Sequence, residues 1–201
     1  MLEFKNVRVS KDGRVPSAAL SFIVRRGEML YMRGGKGCGK SSLVEATMGF
    51  TPISEGYITI EGEPVTPASA ATFRRLIAYV PQDLRLSEAT PAALFDRVAR
   101  LRINQKNSLS KDSLLAFWDA VNIDRAYYEM LFDTMDEATR RVLILSLASI
   151  LRRPLVLVDE SLTATEDILL REMAQQGSAV LVTGCRETGE GMYDKQITLE
   201  I

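Results

Sequence analysis

The sequence predicts an α/β domain with a mainly parallel sheet, an N-terminal antiparallel β region and an inserted helical subdomain. Three observations carry this. An apolar strand, Met29–Met32, runs straight into a glycine cluster and then into a helix. A second all-apolar stretch, Leu155–Val158, lacks polar alternation, which suits a parallel sheet covered on both faces. Between residues 84 and 133 the chain changes to helix after helix, marked by Thr90-Pro91 as a cap and first-turn pair and by Ser110 as a second cap.

The elements follow in order. Leu2 and Phe4 alternate with Glu3 and Lys5 as in a strand, and Ala19–Val24 and Glu28–Met32 read as two more, separated by the turn at Arg26-Gly27. After the glycine cluster, Leu43 with Thr47 and Val44 with Met48 recur at helical spacing up to Gly49. Gly56–Gly62 holds a short alternating strand, and Ile77–Val80 a buried one ended by Pro81. In the helical stretch, Leu94, Val98 and Leu101 line one face, and Leu114, Leu115, Trp118 and Val121 another. Val142–Leu151 is apolar on most sides, so that helix should be buried until Arg152-Arg153-Pro154 stops it. A helix over Glu166–Gln176, a buried strand at Ala179–Val182 and an alternating strand at Gln196–Ile201 complete the chain. The domain reading is a core of residues 1–83 and 134–201 with 84–133 inserted.

Composition excludes several classes. With 201 residues, 46% of them apolar, the chain can bury a core. Twenty-five basic and 26 acidic residues nearly cancel, leaving −1, without the basic excess of a nucleic-acid binder. No apolar run approaches the ~20 residues of a membrane-spanning helix, and the first residues lack a secretory apolar block. Cys38 and Cys185 are too few for a disulfide framework. A cytoplasmic protein is expected, with any membrane role gained by docking.

Gly34-Gly35-Lys36-Gly37-Cys38-Gly39-Lys40-Ser41 matches G-x-x-x-x-G-K-[ST], between strand and helix as the chemistry requires. Glycines let several main-chain N–H groups converge on phosphates, and the helix start adds its positive dipole end. Lys40 is placed to reach the β- and γ-phosphates of ATP, Ser41 to coordinate Mg²⁺, and Ser42 to extend the same contact surface. Asp159 and Glu160 end the apolar strand Leu155–Val158. Asp159 is placed to hold Mg²⁺ and Glu160 to polarise a water as general base. Gln82, after Tyr79-Val80-Pro81, is a neutral group able to approach the metal or that water.

With these motifs in this order, the chain resembles the ATP-binding-cassette (ABC) ATPases along nearly its whole length. Gly34–Ser41 corresponds to Walker A of a P-loop NTPase core, Val80-Pro81-Gln82 to the Q-loop and Leu155–Glu160 to Walker B. The resemblance implies ATP and Mg²⁺ as cofactors and a dimer, homo- or heteromeric, in which each ATP also meets the partner's LSGGQ segment. It further implies a transmembrane permease docked beside the Q-loop at the inner face of the membrane.

Four departures qualify that expectation. Thr134-Met135-Asp136-Glu137-Ala138 holds the place of LSGGQ, with two carboxylates and no glycine. Like charges ~4 Å apart cost about 4 kcal/mol at an effective dielectric near 20, so a phosphate is poorly served there. Thr134 and Glu137 instead have the spacing of a capping box. There is no histidine in the chain, and Gly184 stands where the family has its switch histidine. The loop Ser161–Glu166 departs from the family's pattern, and no aromatic residue near Val9-Ser10-Lys11 offers a face to adenine. Lys36, counted with the loop among the cofactor-binding residues, reads as a solvated lysine, the alternatives being a further phosphate contact or a pair with Asp136 of a partner copy; the placement of Cys38 and Cys185 near the nucleotide reads as coincidence rather than a redox gate. The expected function is therefore a weakly hydrolysing ATP-binding subunit of an ABC-type transport complex; the alternative is a non-catalytic nucleotide sensor.

Overall fold

Period-two apolar patterning at the front and continuous apolar runs further on sort the strands into two sheets. The structure, a computed structural model, describes residues 1–9, 19–107, 109–160, 163–189 and 191–199. Ser10, Lys11, Ser161, Leu162, Glu200 and Ile201, on which some expectations fall, lie outside them. The antiparallel sheet has the order β2-β1-β4-β5, built from β1 (Leu2–Arg8), β2 (Leu20–Val24), β4 (Glu55–Ile60) and β5 (Glu63–Pro64). The parallel sheet has the order β6-β7-β8-β3-β9. Its strands are β3 (Met29–Gly34), β6 (Ile77–Val80), β7 (Leu155–Val158), β8 (Ala179–Gly184) and β9 (Lys195–Leu199).

The burial patterns explain the arrangement. Every residue of β7 and β8 is buried, as strands flanked on both faces require. One face of the parallel sheet (Leu30, Met32, Leu157, Leu181) packs with Leu2, Phe4, Ile58 and Ile60 of the antiparallel sheet and with α1 (Lys40–Thr47). The other face (Met29, Tyr31, Val156, Val158, Val180, Val182) meets Leu145 of α5 (Glu137–Ile150) and Leu169 and Leu170 of α6 (Ala164–Gln175).

The short α2 (Ala70–Phe73) precedes β6. Between β6 and α5 lie α3 (Pro91–Arg100) and α4 (Lys111–Ala120), capped by Thr90 and Ser110 respectively. Their core is a separate cluster of Phe95, Leu114, Trp118, Tyr128 and Phe132, against which α5 turns Leu143 and Leu147. Helix α5 is apolar on most sides because it serves two cores. The face expected for α3 is corrected: Phe95 is its buried anchor, Leu94 and Val98 are half-buried, and Leu101, past the helix end, is exposed. Helical spacing through Leu94, Val98 and Leu101 selects the adjacent face, whereas the buried one runs from Pro91 to Phe95, four residues on.

The start of α5 is also corrected. Thr134 belongs to a 3-10 turn over Phe132–Thr134 and donates its hydroxyl to the Leu131 carbonyl at 2.7 Å. Asp136, in extended conformation, is the cap and accepts from Thr139 N–H at 2.7 Å. No Thr134–Glu137 capping box forms, because the tight turn commits Thr134 backwards.

Arg141 of α5 ties the layers together. Its side chain and that of Glu166 are both 0% exposed, with Nε 3.2 Å from Glu166 Oε2. Its remaining nitrogens donate to the carbonyls of Pro81 (3.0 Å), Gln82 (3.4 Å) and Glu160 (2.7 Å). One guanidinium therefore joins the ends of β6 and β7 to α6.

At the end of β8, a Cβ added at Gly184 would lie 2.1 Å from Tyr31 Oη and 2.9 Å from Tyr31 Cζ. That hydroxyl donates to the Arg186 carbonyl at 3.1 Å, and burial pushes its pKa up to about 12. Glycine at 184 is thus a packing requirement of this chain.

Two outcomes follow. Arg141→Met removes a buried ionic partner and should lower unfolding free energy by about 3–5 kcal/mol, read from urea midpoints. Gly184→Ala overpacks against Tyr31 and should cost about 1–3 kcal/mol. A double-mutant cycle with Tyr31→Leu should show that most of this cost is lost when Tyr31 is truncated.

Candidate functional site

The carboxyl ends of β3, β7 and β8 open on one side of the parallel sheet, where ligands of open α/β folds bind. A cavity of about 370 Å³ lies there. Its walls include Lys36, Gly37, Gly39, Lys40, Ser41 and Ser42 from the glycine loop and α1, with Gln82, Glu160 and Cys185 opposite. Sequence positions far apart are thereby brought around one space. Gly34, Gly35, Cys38 and Asp159 are not among its walls.

The loop's backbone is set by its residue types. Gly37 and Gly39 take positive φ of 85° and 101°. At Gly34 a Cβ would sit 2.4 Å from Cys38 Sγ, so the buried cysteine fixes a glycine at the strand end. Helix α1 starts with no side-chain cap and no acidic residue in its first turn. Its orphan N–H groups are satisfied by nothing on their own helix, a local fit to an anion.

Lys40 is 7% exposed and folds over the loop, donating to the Gly34 carbonyl at 2.7 Å and the Gly35 carbonyl at 3.0 Å. Its Nζ lies 4.0 Å from Glu160 Oε2. Lys36 lies on the cavity wall and is exposed.

The acidic pair is held by a residue the sequence reading passed over. The register of β7 and β8 places Val158 opposite Val182, so Asp159 and Thr183 come next side by side. The buried Thr183 hydroxyl donates to Asp159 Oδ1 at 2.7 Å and accepts from Glu160 N–H at 2.9 Å. Glu160 has a φ of 64°, unusual for a residue with a side chain. Its Oε1 accepts from Cys185 N–H at 3.2 Å and from the Cys185 thiol at 3.0 Å. A strand-end threonine beside a strand-end aspartate was the available signal for Thr183; nothing local marked Arg141.

Among the described residues, no group of three His, Cys, Asp or Glu is placed to hold a metal unaided. Ser41, Gln82 and Asp159 are oxygen donors of the kind Mg²⁺ takes, and Mg²⁺ commonly completes its shell with waters and substrate phosphates. The local chemistry fits that ion in company with a phosphate ligand.

Asp136 is exposed at the start of α5, and the Thr139 N–H it caps holds its carboxyl below the usual range. A negative charge therefore already occupies that helix start.

A family model described as "ABC transporter" matches residues 18–163. The cytochrome c biogenesis ATP-binding export protein CcmA of Hahella chejuensis is 26% identical over 193 residues, 91% of this chain and 88% of that protein. Human ATP-binding cassette sub-family B member 6 is 38% identical over 92 residues, 45% of this chain but 11% of its own length. A dimeric bacterial ABC transporter cassette superposes with a TM-score of 0.79 at 17% identity, covering 99% of this chain and 94% of that one. The family match spans well over half of the sequence, from the front sheet to beyond the acidic pair, and the chain belongs to the ABC transporter family.

Proposed function

We propose that this chain is the ATP-binding, weakly hydrolysing subunit of an ABC-type membrane transport complex. The observation that carries the proposal is the uncapped start of α1, with Lys40, facing Glu160 across one cavity. The N–H groups of the glycine loop, Lys36 to Ser42, take the phosphates of ATP, and Lys40 leaves the Gly34 and Gly35 carbonyls for the β- and γ-phosphates. Ser41, Asp159 and Gln82 would hold Mg²⁺, which when bound would neutralise charge on the phosphate oxygens. Glu160 accepts a proton from the attacking water as the γ-phosphorus–oxygen bond to ADP breaks.

The partner reading rests on a second cavity. Tyr79, Val80, Leu84, Leu86, Leu94, Ile144 and Leu147 line an apolar hollow of about 360 Å³ between β6, α3 and α5. It lies beside Gln82, where a transmembrane permease subunit is proposed to dock. The inserted unit, residues 84–133, supplies one of its walls. No helix of the described residues is long and apolar enough to cross a membrane, and a place at the inner face is proposed to come through that partner.

Asp136 at the start of α5 bears on the dimer. Offered to the γ-phosphate of a partner's ATP, it presents like charge, so a homodimer is less well served than a heterodimer with a better-equipped ATPase. The same residue, with Gly184 closed off by Tyr31, supports a second reading: a non-catalytic nucleotide sensor.

Lys40→Ala should weaken binding of a fluorescent ATP analogue by an order of magnitude or more, roughly the loss of one charge-assisted contact. Steady-state phosphate release by the purified chain should be slow and fall about 100-fold in Glu160→Gln. Binding without Glu160-dependent turnover would leave the sensor reading; unchanged affinity in Lys40→Ala would overturn both.

A further inference from the structure

Resting on the hydrolytic reading, we propose that Cys185 is the positioning residue for Glu160, orienting the carboxylate from the place next to the one that Tyr31 closes. Two donors of one residue, the main-chain N–H and the thiol, converge on Oε1 at 3.2 and 3.0 Å. With Oε1 engaged, Oε2 is the oxygen turned to Lys40, at 4.0 Å. The carboxylate is thereby held at Oε1, while its peptide is fixed by Thr183 and Arg141.

A side chain at 184 cannot share this task. Its first carbon would already meet Tyr31 Oη, Cζ and Cε2 at 2.1, 2.9 and 3.0 Å. Tyr31 is itself committed, through its bond to the Arg186 carbonyl and its tilted ring contact with Tyr193, 4.9 Å between centroids. The ring thus closes position 184 and holds the backbone immediately after Cys185. Cys185 is exposed on the cavity wall, so its thiol can act on Glu160 without entering the core.

The contact has an electrostatic signature that does not need ATP. The Glu160 carboxylate, as hydrogen-bond acceptor and as a negative neighbour, pushes the Cys185 thiol up, against a smaller opposing pull from Lys40. Only the thiolate is alkylated, so the carboxylate should protect the sulfur.

The test has two arms on the full chain. First, iodoacetamide labelling of Cys185 at pH 7.5, followed by mass spectrometry so that the buried Cys38 is counted separately, is compared between the wild type and Glu160→Gln. Removing the charge should speed labelling of Cys185 severalfold; equal rates would overturn the contact. Second, Cys185→Ala should lower kcat for phosphate release about tenfold, the worth of a hydrogen bond to a charged group. KM and nucleotide affinity should stay unchanged, and Cys185→Ser, which keeps a donor, should recover most of kcat. Wild-type kcat in Cys185→Ala, or a loss shared equally by the serine variant, would overturn the positioning role. If no variant shows Glu160-dependent turnover, the hydrolytic reading fails and the positioning role with it, whereas the labelling contrast separately reports whether the thiol sits on Glu160.

Discussion

The peptide between Asp159 and its neighbours is the constraint on which the site depends. A non-glycine residue with φ near 64° carries a cost of about 1–2 kcal/mol, and it persists only where its surroundings fix it. Here Thr183 takes the Glu160 N–H and Arg141 supplies a donor to the Glu160 carbonyl. Were either bond absent, the chain after β7 would relax toward ordinary conformations and carry the carboxylate away from Lys40. The same threonine also holds Asp159, so one buried hydroxyl sets the direction of two adjacent acids. Parallel pairing makes this possible, because neighbouring strands that run the same way present their carboxyl ends together.

Arg141 extends the constraint outward. It belongs to α5, whose other faces fill the helical cluster around Trp118 and the core over β7. Through one guanidinium, the position of that helix is felt at Pro81, Gln82, Glu160 and Glu166. Burying such an ion pair is a poor route to stability compared with apolar packing. Its value lies in making the ends of β6 and β7 and the first turn of α6 share one position. A partner that shifted α5 by docking in the hollow lined by Ile144 and Leu147 would move the acceptors of Arg141 as well. Docking and catalysis would then be linked by geometry rather than by a flexible segment.

How much of this the sequence disclosed depended on how local the cause was. The strand–glycine–helix unit at Met29–Thr47 was readable because the glycines, the apolar strand and the helical spacing all lie within one short stretch. The all-buried β7 was readable for the same reason. The cap of α5 was misplaced by two residues: Thr134 and Asp136 both have capping side chains, and a 3-10 turn that leaves no periodic trace decided between them. Phe95 was missed because Leu94, Val98 and Leu101 mark the adjacent face at the same helical spacing. Arg141 had no local mark at all, and Thr183 had only its place at a strand end; their partners come from other loops and another strand. Gly184 was noticed as a missing side chain, but its cause, the hydroxyl of Tyr31 on β3, appears only once β3 and β8 are paired.

These causes give the two helix starts opposite electrostatic characters. At the glycine loop an uncapped helix start and Lys40 favour an incoming phosphate. At the start of α5 the equivalent orphan N–H groups have been satisfied from within, by a carboxylate whose charge the helix end itself stabilises. A helix start can serve a ligand or its own cap, and Asp136 commits α5 to the second. Mutual exclusion of that kind needs no loss of folding to arise, since a cap contributes about 1 kcal/mol to the helix it closes. In the proposed dimer it would leave a partner's phosphate little reason to come there. The asymmetry is therefore built from two ordinary helix ends, one left open and one closed, and it suits the proposed pairing with a partner that brings its own open helix.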